Sequence, residues 1–172
     1  MALLLILIFL LLLSFGILVY FFYRLVIAPG AIYYPTPTHV VRSMLNLAKI
    51  GPSDTILDLG SGDGRILIEA AKRGAHAIGY EIDPLLVRQT RKLVKNENLS
   101  HLVTVHNKNM WQADFNDATV ITLYLFPNFM NRLQKNLESR LNHKIKLVSH
   151  NYRFPKKREI SSKDNIYLYS FP

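Results

Sequence analysis

The sequence predicts an α/β fold: a Rossmann-like, doubly wound and mostly parallel sheet with an antiparallel last strand, preceded by one transmembrane helix. Three observations predict it. The N-terminus is an apolar run without charge from Ala2 to Tyr23. From residue 55 onward, short apolar runs alternate with segments of helical spacing, the rhythm of a parallel sheet covered on both faces. Where the first strand meets its helix, the chain turns on glycines, at the place where open α/β sheets bind ligands.

The apolar run comes first. Its 22 residues reach roughly 33 Å as a helix, enough to cross a hydrocarbon core of about 30 Å. Tyr20 to Tyr23 forms an aromatic belt, followed by Arg24. A cleavable signal peptide is the alternative, but no Lys or Arg precedes the run and the run is too long for one. Beyond the helix come Arg24, Arg42 and Lys49, with no acidic residue before Asp54. The positive-inside rule then makes this a single-pass protein with its globular domain on the cytoplasmic side, at the inner membrane if bacterial. Residues 1–24 are read as the anchor, 25–37 as a linker and 38–172 as the domain. Pro29-Gly30 breaks the helix, and Tyr33-Tyr34-Pro35-Thr36-Pro37 is an extended lead into the domain.

Within the domain, Thr38 can cap a helix reaching about Lys49, with Val40, Val41, Met44, Leu45 and Ala48 on one face. Gly51-Pro52 stops it. Thr55–Leu59 is a nearly continuous apolar run, as buried parallel strands are. Arg65 to Arg73 has helical spacing closed by Gly74. His76 to Ile82 is a second strand, after which Asp83 caps a helix with Pro84 at its first position. Val103 to His106 and Ala118 to Leu125 are the third and fourth strands. Asn128 is placed to cap a helix whose Phe129, Met130, Leu133, Leu137 and Leu141 share a face. Lys144 to Ser149 is the fifth strand and Asn165 to Phe171 the last. No full helix fits between these two, so the last strand is expected to be antiparallel.

Composition excludes some chemistry. Cysteine is absent, which removes disulfides, thiolate metal sites and cysteine nucleophiles, and agrees with a reducing compartment. The six histidines show no metal-ligand spacing, and no metal site is expected. A net charge of +9 suits nucleic acid or an anionic membrane surface. The transmembrane segment favours the membrane, and no nucleic-acid partner is expected. The densest basic run is Lys156-Lys157-Arg158.

The informative motif is Asp58-Leu59-Gly60-Ser61-Gly62-Asp63-Gly64-Arg65. Read as the dinucleotide fingerprint G-x-G-x-x-G, it fails at Arg65, where glycine or alanine is required. A pyrophosphate also prefers a helix N-terminus free of carboxylates, and Asp63 lies within the loop. A ligand with a cationic end fits better. S-adenosylmethionine carries both an ammonium and a sulfonium. Glu81 ends the second strand, 23 residues after Asp58, where its carboxylate can accept charge-assisted bonds from both ribose hydroxyls. After the third strand, Asn109-Met110-Trp111 can offer an amide to the adenine amino group and an apolar wall to its ring.

Asp58 to Arg65, together with Gly79-Tyr80-Glu81, resembles the class I, seven-strand S-adenosylmethionine-dependent methyltransferases. Further segments narrow the resemblance: the apolar anchor, Tyr34-Pro35-Thr36-Pro37, Asn109-Met110-Trp111, Tyr124-Leu125-Phe126-Pro127, and Ser149-His150 followed by Arg153-Phe154-Pro155. These are similar to the membrane-anchored lysine methyltransferases of the mitochondrial inner membrane, which modify the ATP synthase c subunit and the adenine nucleotide translocase, and to their prokaryotic relatives. The resemblance implies S-adenosylmethionine as cofactor. It gives Asp58, Gly60, Ser61, Gly62 and Gly64 as the cradle of the methionine end, Glu81 as the ribose ligand, and Asn109 with Met110 as adenine contacts. Tyr34, Thr36 and Pro37 would close over the donor methyl as a lid within segment 25–37, and Tyr124 to Pro127 would line the acceptor channel. Many relatives carry aspartate where this chain has Asn109.

Methyl transfer is an in-line displacement at a carbon activated by positive sulfur, so positioning supplies much of the acceleration. Tyr124 is the candidate for orienting the acceptor amine and His150 for accepting its proton, each against a reading as a structural core residue. The expected substrate is a protein in or near the membrane that holds residues 2–23. A membrane-soluble small molecule as acceptor and a non-catalytic nucleoside-binding module are the competing readings.

Overall fold

A computed structural model describes residues 1–22 and 33–171. Tyr23, Arg24, the expected Pro29-Gly30 break and the linker as far as Ile32 lie outside the described residues. The chain forms two units, Met1–Gly30 and Ala31–Pro172. In the first, helix α1 (Ala2–Phe22) carries no charge and buries no side chain. Its length and mean hydropathy of 3.2 suffice for a membrane span. The one hydroxyl of its apolar stretch before Tyr20, that of Ser14, donates to the Leu11 carbonyl at 2.9 Å, so the helix satisfies this polar group itself.

The globular unit opens with α2 (Thr38–Leu47) and continues through β1 (Thr55–Leu59), α3 (Arg65–Ala71), β2 (His76–Glu81), α4 (Pro84–Asn96), β3 (Val103–Asn107), β4 (Val120–Leu123), α5 (Pro127–Arg140), β5 (Ile145–His150), β6 (Ser161–Lys163) and β7 (Ile166–Phe171). The seven strands form one sheet in the order β3-β2-β1-β4-β5-β7-β6. β3, β2, β1, β4 and β5 run parallel, while β7 is antiparallel to both β5 and β6. The strand order reverses between β1's two neighbours, β2 and β4, which is the switch point where such sheets leave a crevice.

The inner strands β1 and β4 are buried almost throughout because both faces are covered, whereas β3 at the edge alternates buried and exposed residues. Ile56, Ala77, Val105, Val120 and Val148 pack with α2, α3 and α4 in one core. Leu57, Leu59, Ile121, Leu123, Leu147 and Tyr169 pack with α5 and Phe115 in the other. Asp58 lies between Leu57 and Leu59, on the α3 side of β1 by the period of two.

Three expectations are corrected. Thr38 does not cap α2: Pro37 is the N-cap and no side chain bonds there. Asn128 is likewise inside α5, which starts at Pro127 with Phe126 as its cap residue. Proline's fixed φ suits a helix entrance and its missing N–H needs no partner there, so the proline sets the boundary and not the polar residue after it. β4 is shorter than Ala118–Leu125, and Tyr124 leaves the ladder. The antiparallel last strand appears as expected, but β6, three exposed residues of sequence Ser-Ser-Lys, was not foreseen. Asp83 does cap α4, its Oδ1 accepting from the Leu85 amide at 2.9 Å.

Candidate active site

The five parallel strands end on one edge of the sheet, and the loops following them build the site. The glycine loop leaves β1 and is pinned at once to β2, as the Gly60 and Ser61 amides donate to the Tyr80 carbonyl at 2.9 and 3.1 Å. The Gly62 amide then donates to Glu81 Oε2 at 2.8 Å. Glu81 Oε1 accepts from the Asp83 amide, also at 2.8 Å. One carboxylate thus braces the loop and the α4 entrance, and each oxygen keeps a lone pair for a further donor such as a ribose hydroxyl. Thr90, buried on α4, donates to the Gly62 carbonyl at 3.1 Å. Two glycines are demanded by this packing. Gly62 has φ +55 and a Cβ there would lie 2.9 Å from the Tyr33 ring; Gly64 has φ +78 and its Cβ would collide with the Thr90 side chain.

Asp58 is buried, and its Oδ1 accepts from Thr122 Oγ1 at 2.9 Å. Desolvation, with Glu81 and Asp63 nearby adding repulsion, pushes its pKa up to about 7 despite the Thr122 bond. Beside it in the loop, Ser61 Oγ is buried without a hydrogen-bond partner. A carboxylate without a cation and an orphan hydroxyl, under a backbone held clear of side chains, suit an amino-acid ammonium group. Asp63 is different: Arg65 clasps it through Nε and Nη2 at 2.9 and 2.6 Å. Burial alone would raise Asp63, but Arg65 draws it below the ordinary carboxylate range. That pairing weakens Asp63 as a reason to exclude a phosphate, and the reason rests instead on Asp58.

Arg65 also donates Nη1 to the Thr36 carbonyl at 2.8 Å. This bond fastens the extended segment Tyr33–Pro37 to the glycine loop and buries Thr36. Tyr33 lies against Gly62 and its hydroxyl engages Asp63; burial and that carboxylate raise its pKa. Tyr34 points elsewhere, with its ring edge-on to Tyr124 at 6.0 Å.

On the β3 side, Asn109 is placed at the start of a 3-10 turn, Met110–Gln112, and its Oδ1 caps that turn by accepting from the Trp111 amide at 3.1 Å. Its Nδ2 is the group left to address a base. Met110 packs half-buried against the α5-side core, and Trp111 is covered by Arg132 at 4.1 Å.

On the other side, Tyr34, Tyr124, Phe126 and Tyr152 line a small cleft open to solvent. Tyr124 stacks on Tyr152 at 6.1 Å and lies 4.4 Å from the His150 ring. Its pKa is raised by burial and by Tyr152, although Asn151 hydrogen-bonds the hydroxyl. His150 Nδ1 is buried without a partner. Burial, with His39 adding repulsion, holds its pKa below the usual value, so it is the neutral imidazole at neutral pH. A tight turn sets this wall: Asn151 has φ 68, and Ser149 Oγ donates to the Tyr152 carbonyl at 2.6 Å.

Sequence reasoning missed Tyr33, Thr90, Thr122 and Tyr152, and assigned no role to Arg65. Tyr152 had a legible signal, an aromatic directly after a strand that ends at the site edge. Thr90 and Thr122 act through partners 28 and 64 residues away in the chain, which spacing does not reveal. No group of residues suited to a metal ion occurs among the described residues.

Fold and site define a seven-stranded α/β domain whose crevice suits a nucleoside with a cationic tail and opens beside it onto an aromatic cleft. Comparison with known proteins makes the class specific. Residues 58–172 match the ANTKMT methyltransferase domain. A protein-lysine N-methyltransferase of Saccharolobus islandicus is 36% identical over 126 residues, 72% of this chain and 78% of that protein. A lysine N-methyltransferase of Xenopus laevis that acts on the ATP synthase c subunit is 31% identical over 72% of this chain but only 54% of its own length, so the chain spans about half of that relative. Among solved structures, an RNA methyltransferase from Salinibacter ruber in complex with S-adenosyl-L-homocysteine superposes with a TM-score of 0.78 at 38% identity, covering 81% of this chain and 94% of that one. The chain belongs to the ANTKMT methyltransferase domain family, within the S-adenosylmethionine-dependent class.

Proposed function

We propose that this chain transfers the methyl group of S-adenosylmethionine to a lysine side chain of a protein held in or beside a membrane, with residues 1–24 as a single-pass anchor and the domain on the cytoplasmic side. The observation that carries the lysine assignment is the cleft of Tyr34, Tyr124, Phe126 and Tyr152 beside the donor loop. Aromatic faces attract an alkylammonium and tolerate its methyl groups. Segment 25–37 serves as linker and active-site lid.

In this reading Asp58 and Ser61 receive the ammonium of the donor, Gly60, Gly62 and Gly64 leave room for its methionine end, and Glu81 holds the ribose hydroxyls. Asn109 and Met110 face the adenine. The bound donor supplies a carbon made electrophilic by sulfonium. The chain's residues do the rest by placement. A lysine entering between the aromatic rings gives up part of its hydration, which lowers its pKa and favours its neutral amine. Tyr124, held by Asn151 and Tyr152, orients the amine; His150, neutral and with Nδ1 unengaged, accepts its proton. As the nitrogen lone pair forms the new C–N bond, the S–C bond breaks and its electron pair neutralises the sulfonium.

The Salinibacter structure brings a second acceptor class, RNA, because bases also stack on aromatic rings. One experiment separates them. Full-length protein in native membranes, with labelled donor, should place acid- and base-stable label on lysine of a membrane protein. Label in RNA, or in an extractable lipid or quinone, would refute the proposal, and no turnover with intact donor binding would favour a binding module.

A further inference from the structure

Of the seven large apolar side chains that the globular unit leaves exposed among the described residues, five collect at one end of the molecule, Tyr33, Tyr34, Ile82, Leu85 and Phe126, while Leu93 late in α4 and Ile160 just before β6 do not. Tyr33 and Tyr34 lie against the glycine loop and Tyr124; Ile82 and Leu85 follow the last residue of β2; Phe126 follows β4. The parallel strands place all five around the mouth of the site. With strands about 4.8 Å apart, the arc from Ile82 on the β2 side to Tyr152 on the β5 side is about 14 Å wide. Leu85 is 71% exposed and Tyr34 67%, an extreme that packing within the domain does not explain. Exposed cations stand along the same edge: Lys108 directly after β3 and Arg88 in the second turn of α4, with Arg153 after β5 paired to Glu159 at 3.5 Å. The acids of this edge are engaged, since Asp63 is clasped by Arg65, Glu81 by two amides, and Asp83 caps α4.

We propose that this apolar, cation-flanked rim docks the mouth of the active site directly onto an anionic bilayer surface, with Leu85, Ile82, Tyr34 and Phe126 entering the headgroup region. Apolar side chains beside basic ones are what an interfacial surface requires. Chain connectivity favours lipid as the occupant. Tyr33 belongs to the rim, and ten residues separate it from Phe22, a distance of at most about 35 Å when extended. The rim is therefore the face tethered within reach of whatever membrane holds α1. The inference rests on reading α1 as an anchor, and it deepens the proposed function: the acceptor lysine is one lying at headgroup depth.

The chain has no cysteine, so Leu85→Cys and Ser139→Cys each introduce one site for an environment-sensitive fluorophore. Ser139 is exposed near the end of α5, at the opposite edge of the sheet. The labelled full chain is reconstituted into phosphatidylcholine vesicles with about one-third phosphatidylglycerol and tested with brominated lipid. Quenching at position 85 should exceed that at 139 by about threefold or more. It should fall when phosphatidylglycerol is omitted or when Ile82→Ser and Lys108→Glu are added, with donor affinity unchanged. A chain that does not float with the vesicles removes the anchor itself. A chain that floats but shows equal quenching at the two positions overturns the docking alone. Shielding of position 85 only after a membrane-protein acceptor is added makes the rim a protein-binding surface and also overturns it.

Discussion

The donor and acceptor halves of the site share one sheet edge but are built from different materials. On the β1–β2 side, backbone amides, Glu81, Thr90 and the Asp63–Arg65 pair are locked into mutual hydrogen bonds of 2.6 to 3.1 Å. On the β4–β5 side, rings meet rings at 4.4 to 6.1 Å, and the buried His150 Nδ1 has no partner. Preorganised polar groups recognise one invariant ligand, whereas an aromatic wall with few fixed donors accepts a flexible side chain and its methylated forms. A donor site can be strict because its ligand never changes.

The most damaging single change should therefore fall on the donor half. Glu81→Ala leaves the Gly62 and Asp83 amides unsatisfied and, on the proposed reading, removes the charge-assisted ribose contacts as well. Donor affinity should drop about 10²- to 10⁴-fold by calorimetry. An unchanged Kd would mean that the carboxylate only braces the loop.

Asp58→Asn tests whether this half is strained without its ligand. The Asp58 carboxyl is pushed up to about 7 in the folded chain, above the ordinary value near 4. Its neutral form is thus the stable one, and the stability it contributes is present at low pH and lost as pH rises toward and through 7. The asparagine variant should match the parent near pH 4. Near pH 8 it should be more stable by on the order of 3 kcal/mol, seen as a higher Tm, while donor affinity falls about a hundredfold. The same sign makes donor binding release protons below pH 7, which heats measured in buffers of different ionisation enthalpy report.

The contrast between the halves also explains what the sequence disclosed. The alternation of strands and helices, the β1 bounds and the Asp58–Arg65 loop were legible because local rules govern them: apolar runs, glycines at a switch point, and an acid ending the next strand. The acceptor wall was half-hidden. Tyr124 and His150 were named as candidates near strand ends, but Tyr152 arrives through a turn that needs a left-handed Asn151. Tyr33 reaches Gly62 across a tertiary contact with no sequence period. β6 escaped because three polar residues carry no alternation; it exists by pairing with β7.

On the acceptor half, losses should appear in turnover and not in donor affinity. Tyr152→Ala opens the wall, and Tyr124→Phe removes the hydroxyl held by Asn151. Each should lower kcat/KM for the acceptor about tenfold with the donor Kd unchanged. A parallel loss of donor affinity would join the two halves into one unit and erase the distinction.

The smallest effect sharpens the distinction where the donor half is least committed. Asn109 engages its amide oxygen with the Trp111 amide, so an adenine amino group bound there, as proposed, would meet a site whose best acceptor is already occupied. Asn109→Asp keeps the cap, places a full negative charge at the start of the 3-10 turn, and leaves a second carboxylate oxygen for the base. Donor affinity should rise about threefold, and the gain should vanish with a donor analogue lacking the adenine amino group. If affinity falls instead, the Asn109 Nδ2 is the group that addresses the ring, and this chain reads adenine by donating where an aspartate would accept.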